Sequence, residues 1–133
     1  MANYGAVVTK GSNKKQILAN ATLYQAFGAQ IKDEGVTTDS NGKKIIPAGT
    51  PVGGVVSFLE DEMAELIVTN TSGDASKTQG VLLYDVDVTA GTQNGTVLVF
   101  GFVNENRLDT ALTIEADAKT ALDSKVTFVK RNA

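Results

Sequence analysis

The chain has 133 residues, an apolar content of 42% and a net charge of −3, which suits one globular domain with its own core. It contains no Cys and no His, which excludes disulfides, thiol nucleophiles, zinc sites built on Cys or His, and serine–histidine triads. Catalysis by carboxylates, Lys, Ser or Tyr remains open but is disfavoured, and we predict no enzyme and no cofactor or metal. No dense basic patch indicates nucleic acid, and no apolar run approaches the roughly 18 residues of a membrane helix.

The first 30 residues are rich in Ala, Asn, Gln and Gly, and they are predicted to form an N-terminal arm. Ala6–Thr9 is typical of a short strand, and Leu18–Phe27 fits either a weak helix or an extended segment. Such a segment is expected to become ordered on a partner. The alternative is that it adds an edge strand to its own domain, which is predicted to span 31–133. No signal-peptide block precedes it, so synthesis in a cytoplasm is expected.

The next part of the chain alternates loops with short β-prone runs. A polar loop is predicted at 33–42 and another at 71–78, and the prolines and glycines of "KKIIPAGTPVGG" predict turns. Strands are predicted at 44–46, 55–58 and 64–70. A short helix or a solvated loop is expected at an acidic cluster, which consists of Glu60, Asp61, Glu62 and Glu65.

The stretch "GVLLYDVDVTAGTQNGTVLVFGFVN" predicts a β-hairpin around an Asn-Gly turn. Both strands carry apolar side chains, and the second carries them on both faces. It is therefore buried on both sides, either inside its own fold or against another subunit. The hairpin residues assigned to the core or to a trimer contact are Leu82, Tyr84, Val86, Leu98, Phe100 and Phe102.

Asp85 and Asp87 lie two apart on the first hairpin strand and so share a face. They begin like a calcium-binding loop, but Ala90 stands where that loop needs Gly, and Thr96 stands where it needs Glu. We therefore interpret both aspartates as structural: solvated, bonded to a turn amide, or paired with a cation.

The remaining sequence predicts a helix from about Ile114 to Leu122 and a last strand at Val126–Val129. With six to eight short strands and one or two short helices, the expected fold is mainly β (a β-rich α+β protein). We expect a small, compact barrel-like or sandwich-like domain with a flexible N-terminal arm.

Several of these pieces occur in an unusual order. "KKIIPAGTPVGG", then "GVLLYDVDVTAG", then "NGTVLVFGFVN" and Arg107-Leu108 resemble the head decoration proteins of tailed bacteriophages. The likeness is to the lambda-type capsid-stabilising family and to head-fibre-like proteins from phages of Gram-positive hosts. It covers about residues 35–133, and the first 34 residues match no motif of that family.

This resemblance implies a homotrimer on the outer surface of an expanded capsid, at local three-fold positions of the virion. The N-terminal arm of such proteins meets the major capsid protein, often by adding a strand to one of its loops. The capsid-contact residues expected on that basis are Tyr4, Ala6, Val7, Val8, Thr9 and Lys10.

The competing hypothesis is a small β-rich module that binds carbohydrate or a host surface and is displayed on a virion. It requires an exposed aromatic platform for sugar rings. With no Trp and three Tyr, the chain is poorly supplied with such residues.

Overall fold

The computed structural model describes residues 16–131, and it confirms a mainly β fold with one short helix. Single turns of 3-10 helix occur at Ala75–Lys77 and Glu105–Arg107. The strands and the helix are β1 Gln25–Ile31, β2 Ile45–Ile46, β3 Pro51–Gly53, β4 Glu65–Val68, β5 Thr78–Leu82, β6 Val86–Asp87, β7 Gln93–Asn104, α1 Ala116–Ala121 and β8 Val126–Val129.

Five strands close into a barrel in the order β1, β4, β3, β5, β7 and back to β1. Closure depends on β1, which pairs with β4 in parallel at Gln30 and Ile31 and with β7 antiparallel along its whole length. The last four residues of β7 extend beyond the barrel and pair in parallel with β8. The short strands β2 and β6 pair only with each other. The sequence therefore produces the barrel alternative of the predicted fold class.

The long strand β7 separates two hydrophobic cores, because successive side chains of a strand point to opposite faces. Val97 lies inside the barrel, and Leu98 lies on the outer face beneath α1 and the segment at Ile17. The barrel core contains Ala29, Ile31, Ile46, Val52, Phe58, Leu66, Leu82, Val86, Val88 and Val97. The outer core contains Ile17, Leu18, Ala48, Ala75, Val81, Leu83, Leu98, Val103, Leu108, Ile114, Ala118, Leu122 and Val126. The apolar faces of β7 are thus covered largely within its own fold.

The predicted hairpin is only partly right, because its first strand changes partner. β5 pairs with β7 up to Leu82, and Leu83 N–H adds one more bond to Thr96 O. The chain then bends, and the Asp85 carboxylate accepts a hydrogen bond from Ala48 N–H at 2.8 Å. That bond directs the following residues to β2, so β6 leaves the hairpin.

One other predicted element is wrong. Residues 55–58 form a loop and not a strand, and β3 lies earlier, at Pro51–Gly53. The loop is fixed by the Gln79 side chain, which accepts from Phe58 N–H and donates to Gly54 O and Val56 O. Of the two alternatives for 18–27, the helix does not form. The segment is extended where Leu18 and residues 25–27 pair with β7, and a turn at 21–22 lies between these two parts.

The predicted arm boundary at residue 30 lies within β1, a barrel strand. Upstream of β1, Ile17 and Leu18 are buried, and Leu18 bridges to Val103. Asn104, itself buried, donates its N–H to Ile17 O, and its side chain accepts from Asn106 N–H and Arg131 N–H. Both ends of the described chain are therefore held at the last residue of β7.

Close packing of the barrel wall requires glycine at two positions. A Cβ on Gly53 would lie 2.0 Å from Lys77 O, and one on Gly80 would lie 2.6 Å from Leu98 O. Both contacts are with main-chain atoms, which cannot move aside without breaking the sheet. These glycines let β3 and β5 approach their neighbours.

Candidate interaction surface

The six hairpin residues assigned to the core or a trimer contact divide into two groups. Leu82, Val86 and Leu98 are buried in the protein's own cores, so they are not accessible to a second subunit. The other three are partly accessible: Tyr84 and Phe102 are half-buried, and Phe100 is 39% exposed.

The two aspartates act on the main chain around them. Asp85 holds the turn at Ala48, as described above, and the Asp87 carboxylate accepts from both the N–H and the hydroxyl of Thr89. The hydroxyl and amide of Thr89 lower the pKa of Asp87 below its ordinary value, with a smaller contribution from Lys43. Both carboxylates thus shape the turns that connect β2 and β6 to the barrel.

The large apolar side chains that remain exposed are concentrated at one end of the barrel. Of nine in residues 16–131, eight lie where β1 and β4 begin and β3 ends, and only Ile45 lies elsewhere. We call these eight the apolar rim: Leu23, Tyr24, Phe27, Val55, Val56, Leu59, Met63 and Phe100. Scattered single exposures need no explanation, but a one-ended group of this size indicates an interaction surface.

Half of the apolar rim belongs to the loop between β3 and β4. Val55 is 91% exposed and Met63 is 67% exposed, so these side chains stand clear of the barrel. Beside them an open groove of about 440 Å³ is lined by apolar atoms of Ile67 and by two lysines, Lys32 and Lys77. The loop thus presents apolar side chains next to charged groups of both signs, since Asp61 and Glu65 also line the groove.

The other half comes from β1, the segment before it and β7. Phe100 lies opposite Gln25 across the β7–β1 ladder, and Tyr24 lies next to Gly101, where an added Cβ would approach it at 3.1 Å. The Met63 thioether is 3.9 Å from Gln30 Nε2, and this contact joins the loop to β1. The two halves therefore lie along one end of the same barrel.

The sequence did not predict this surface as a site. Val55 and Val56 are β-branched and therefore predict a strand, and Leu59 and Met63 lie in or beside an acidic cluster that predicts a short helix or a solvated loop. The sequence does contain one signal for this surface. Gly53-Gly54 favours the end of a strand, and the apolar residues after it alternate irregularly with acidic ones, which is typical of a loop.

The capsid-contact residues expected from the resemblance, Tyr4 to Lys10, lie outside the described residues. The chain that leads to them does not. Gln16 is held by Arg107, whose Nη1 donates to Gln16 O at 3.2 Å, next to the end of β7. Because β7 runs toward the apolar rim, Gln16, the first described residue, lies at that end of the barrel.

Within residues 16–131, no helix is long and apolar enough to cross a membrane, and no three acidic side chains are grouped as metal ligands would be. Comparison of the sequence with models of known protein families and with curated proteins found no match. The resemblance to phage decoration proteins therefore depends on the residue pattern alone.

Proposed function

We propose that the protein is a structural virion component, a capsid decoration protein that binds the outside of an expanded phage head as a trimer. The proposal joins the sequence resemblance to one structural observation. That observation is the concentration of exposed apolar side chains at the barrel end where Gln16, the first described residue, lies. A protein that docks on a lattice by one end needs such an asymmetry.

In this proposal the N-terminal arm is the anchor on the major capsid protein. Ala6–Thr9 supplies main-chain donors and acceptors for strand addition, a mode that needs few specific side chains. Three arms on one trimer would bind together, which raises overall affinity by roughly 10²–10⁴ over one arm. Tyr4 and Lys10 flank the strand and complete the proposed contact.

The β3–β4 loop is proposed as a second contact with the shell. Val55 and Met63 project from this loop and make few contacts with their own domain. Substituting either residue should therefore cost little stability in the free protein. On a shell they would bury apolar area, which contributes about 25 cal/mol per Å². Gln16, from which the arm continues, lies at the same end of the barrel as this loop, so the two proposed contacts can engage one surface together.

Trimer formation is assigned to the part of the hairpin that stays accessible. Leu82, Val86 and Leu98 are excluded because they are buried in the chain's own cores. Phe100 and Tyr24, which lies next to the adjacent Gly101, remain exposed and offer aromatic area to a second copy.

A sedimentation assay with expanded, undecorated heads tests the proposal. Wild-type protein should bind saturably, and Val55→Ser should weaken binding by about tenfold, or 1.4 kcal/mol. Ile45→Ser is the matched control, because Ile45 is a large exposed apolar residue outside the apolar rim. If Val55→Ser binds like wild type, the loop is not a shell contact, and if wild type stays in the supernatant, the function is wrong.

One observation favours the second candidate, a carbohydrate-binding module. Tyr24, Phe27 and Phe100 are all exposed at the same end of the barrel, and aromatic rings are the usual platform for sugars. Titration with oligosaccharides while NMR shifts of these rings are followed would decide. Saturable shifts confined to these rings support this candidate, and unchanged spectra exclude the sugars tested.

A further inference from the structure

The first half of β1 has a strand neighbour on one side only. β1 pairs with β7 from Gln25 to Ile31, but it pairs with β4 only at Gln30 and Ile31. β4 begins only at Glu65, and the β3–β4 loop that precedes it does not pair with β1. The other edge of residues 25–29 is therefore left open. Residues 25, 27 and 28 are exposed, in agreement with this opening.

The main-chain groups on this open edge can be identified. Lys32 N–H donates to Leu66 O at 2.8 Å, which fixes the even-numbered residues of β1 as those that bond toward β4. Because alternate residues of a strand direct their N–H and C=O groups to the same edge, Ala26 and Gly28 present theirs to the open side. Within residues 16–131 nothing forms a hydrogen bond with them there.

The surroundings of this edge are apolar, and acidic groups without a cation lie near it, because the two lysines of the groove, Lys32 and Lys77, are paired with Glu34 and Asp74. Phe27 is exposed on the strand itself, and Met63 lies against Gln30 at the point where the edge opens. The adjoining loop carries Glu60 and Glu62, both exposed, and neither has an ion-pair partner among the described residues. A strand that fits this edge should have small or β-branched side chains and positive charge nearby.

We infer that the chain's own N-terminal segment docks here, with Ala6–Thr9 as an added antiparallel strand on the open edge of β1. Fifteen residues precede Gln16, and they include three lysines and no acidic residue. Their one β-prone run has the required small and β-branched side chains. The inference concerns the free protein and goes beyond shell binding.

The segment is long enough to reach the edge and arrives in the correct direction. Leu18 pairs with Val103, and Gln25, the first residue of β1, pairs with Phe100. Leu18 and Gln25 are therefore separated by the length of three residues of β7. That separation is about 10 Å, and six extended residues, 10–15, span about 20 Å. Thr9 therefore reaches Gln25, and residues 8 to 6 run on beside β1 in the antiparallel sense.

Docking of this kind would protect the free protein. An open edge beside exposed apolar side chains is a template for unwanted pairing between molecules, and proteins commonly cover such edges. The same run that adds to a capsid protein would cover β1 until the shell is met. Decoration would then exchange one strand partner for another.

Amide hydrogen exchange in the free protein tests the inference without any shell. The Ala26 and Gly28 amides should exchange at least about tenfold more slowly in the full chain than in a chain lacking residues 2–15. Phe27 and Ala29 amides, which face β7, should be equally protected in both and serve as the internal control. A peptide of residues 1–15 should restore protection to the truncated chain, and its Val8→Pro form should not, because proline removes a main-chain donor.

Three results would overturn the inference. The first is equally fast exchange of Ala26 and Gly28 in both chains, which means that the edge stays open. The second is equally slow exchange in both, which means that other residues cover it. The third is protection in the full chain that disappears on dilution, which assigns the edge to the segment of a second copy.

Charge provides an independent check with a matched control. Glu60→Gln/Glu62→Gln should weaken peptide binding to the truncated chain by about tenfold. Asp117→Asn/Asp123→Asn removes the same number of exposed carboxylates next to α1 and should leave binding unchanged. Equal affinities for the two double variants would remove the acidic loop from the proposed site.

Discussion

Val97 and Leu98 are consecutive on β7 and both fully buried, yet they pack in different cores, Val97 inside the barrel and Leu98 beneath α1. Phe100, two residues further along β7, is 39% exposed, and a register shift between the two residues places it opposite Gln25 and not on the face of Leu98. One strand thus provides two core residues and a surface aromatic.

This contrast predicts losses of stability of different size for two alanine substitutions. Leu98→Ala should lower the free energy of unfolding by about 2–5 kcal/mol, because it leaves a cavity in the outer core. Phe100→Ala should cost about 1 kcal/mol or less, because its side chain already contacts solvent. Urea denaturation measures both. Equal losses would mean that the outer core does not depend on Leu98.

Phe100→Ala should act instead on self-association. Light scattering of the wild-type protein is expected to give three times the chain mass of 13.9 kDa, and the variant should shift toward the mass of one chain. A clean monomer of wild type at micromolar concentration would contradict a preformed trimer. The proposal would then hold only if the trimer assembles on the shell.

A buried hydroxyl pair gives a third prediction. The Thr69 and Thr78 hydroxyl oxygens lie 2.7 Å apart, and both residues are buried. Thr78→Val should cost about 1–3 kcal/mol, since it leaves the Thr69 hydroxyl buried without its partner. Thr69→Val/Thr78→Val removes both polar groups and should be less costly than the sum of the single variants. Additive losses in a double-mutant cycle would show that the hydroxyls do not interact.

The turn at Asp87 predicts a pH dependence. Its pKa is lowered in the folded protein by the Thr89 hydroxyl and amide. A lowered folded pKa contributes stability that is present above the unfolded value of about 3.9 and is lost as the pH falls through the folded value. Thr89→Val should raise the pKa of Asp87 toward its ordinary value, as an NMR titration of the carboxyl carbon would show. An unchanged titration would remove the hydroxyl as the main cause.

Much of the fold could be predicted from the sequence because its signals are local. Alternating apolar residues predicted β7, and the last strand was predicted at Val126–Val129, as observed. The predicted helix contains α1, which ends next to Leu122. The exchange of partners at Asp85 could not be predicted, because Leu82, Val86 and Val88 keep the period of a strand and share one core while the main chain changes neighbours.

The candidate surface was less predictable than the fold for a related reason. The exposure of Val55 depends on Gly53 packing against Lys77 and on Gln79 bonding to the loop, and both contacts join residues more than twenty positions apart in sequence. Local pattern alone treated the two valines after Gly54 as a strand. Only the closed barrel places them at the same end as Phe27 and Phe100.

Imaging of decorated heads tests the central claim most directly. Purified protein would be mixed with expanded, undecorated phage heads, and the particles would be reconstructed by electron cryo-microscopy. The account predicts trimeric density on the outer surface at local three-fold positions, with the β3–β4 loop toward the shell and the pair β2–β6 away from it. A reconstruction with a bare outer surface at saturating protein would contradict it.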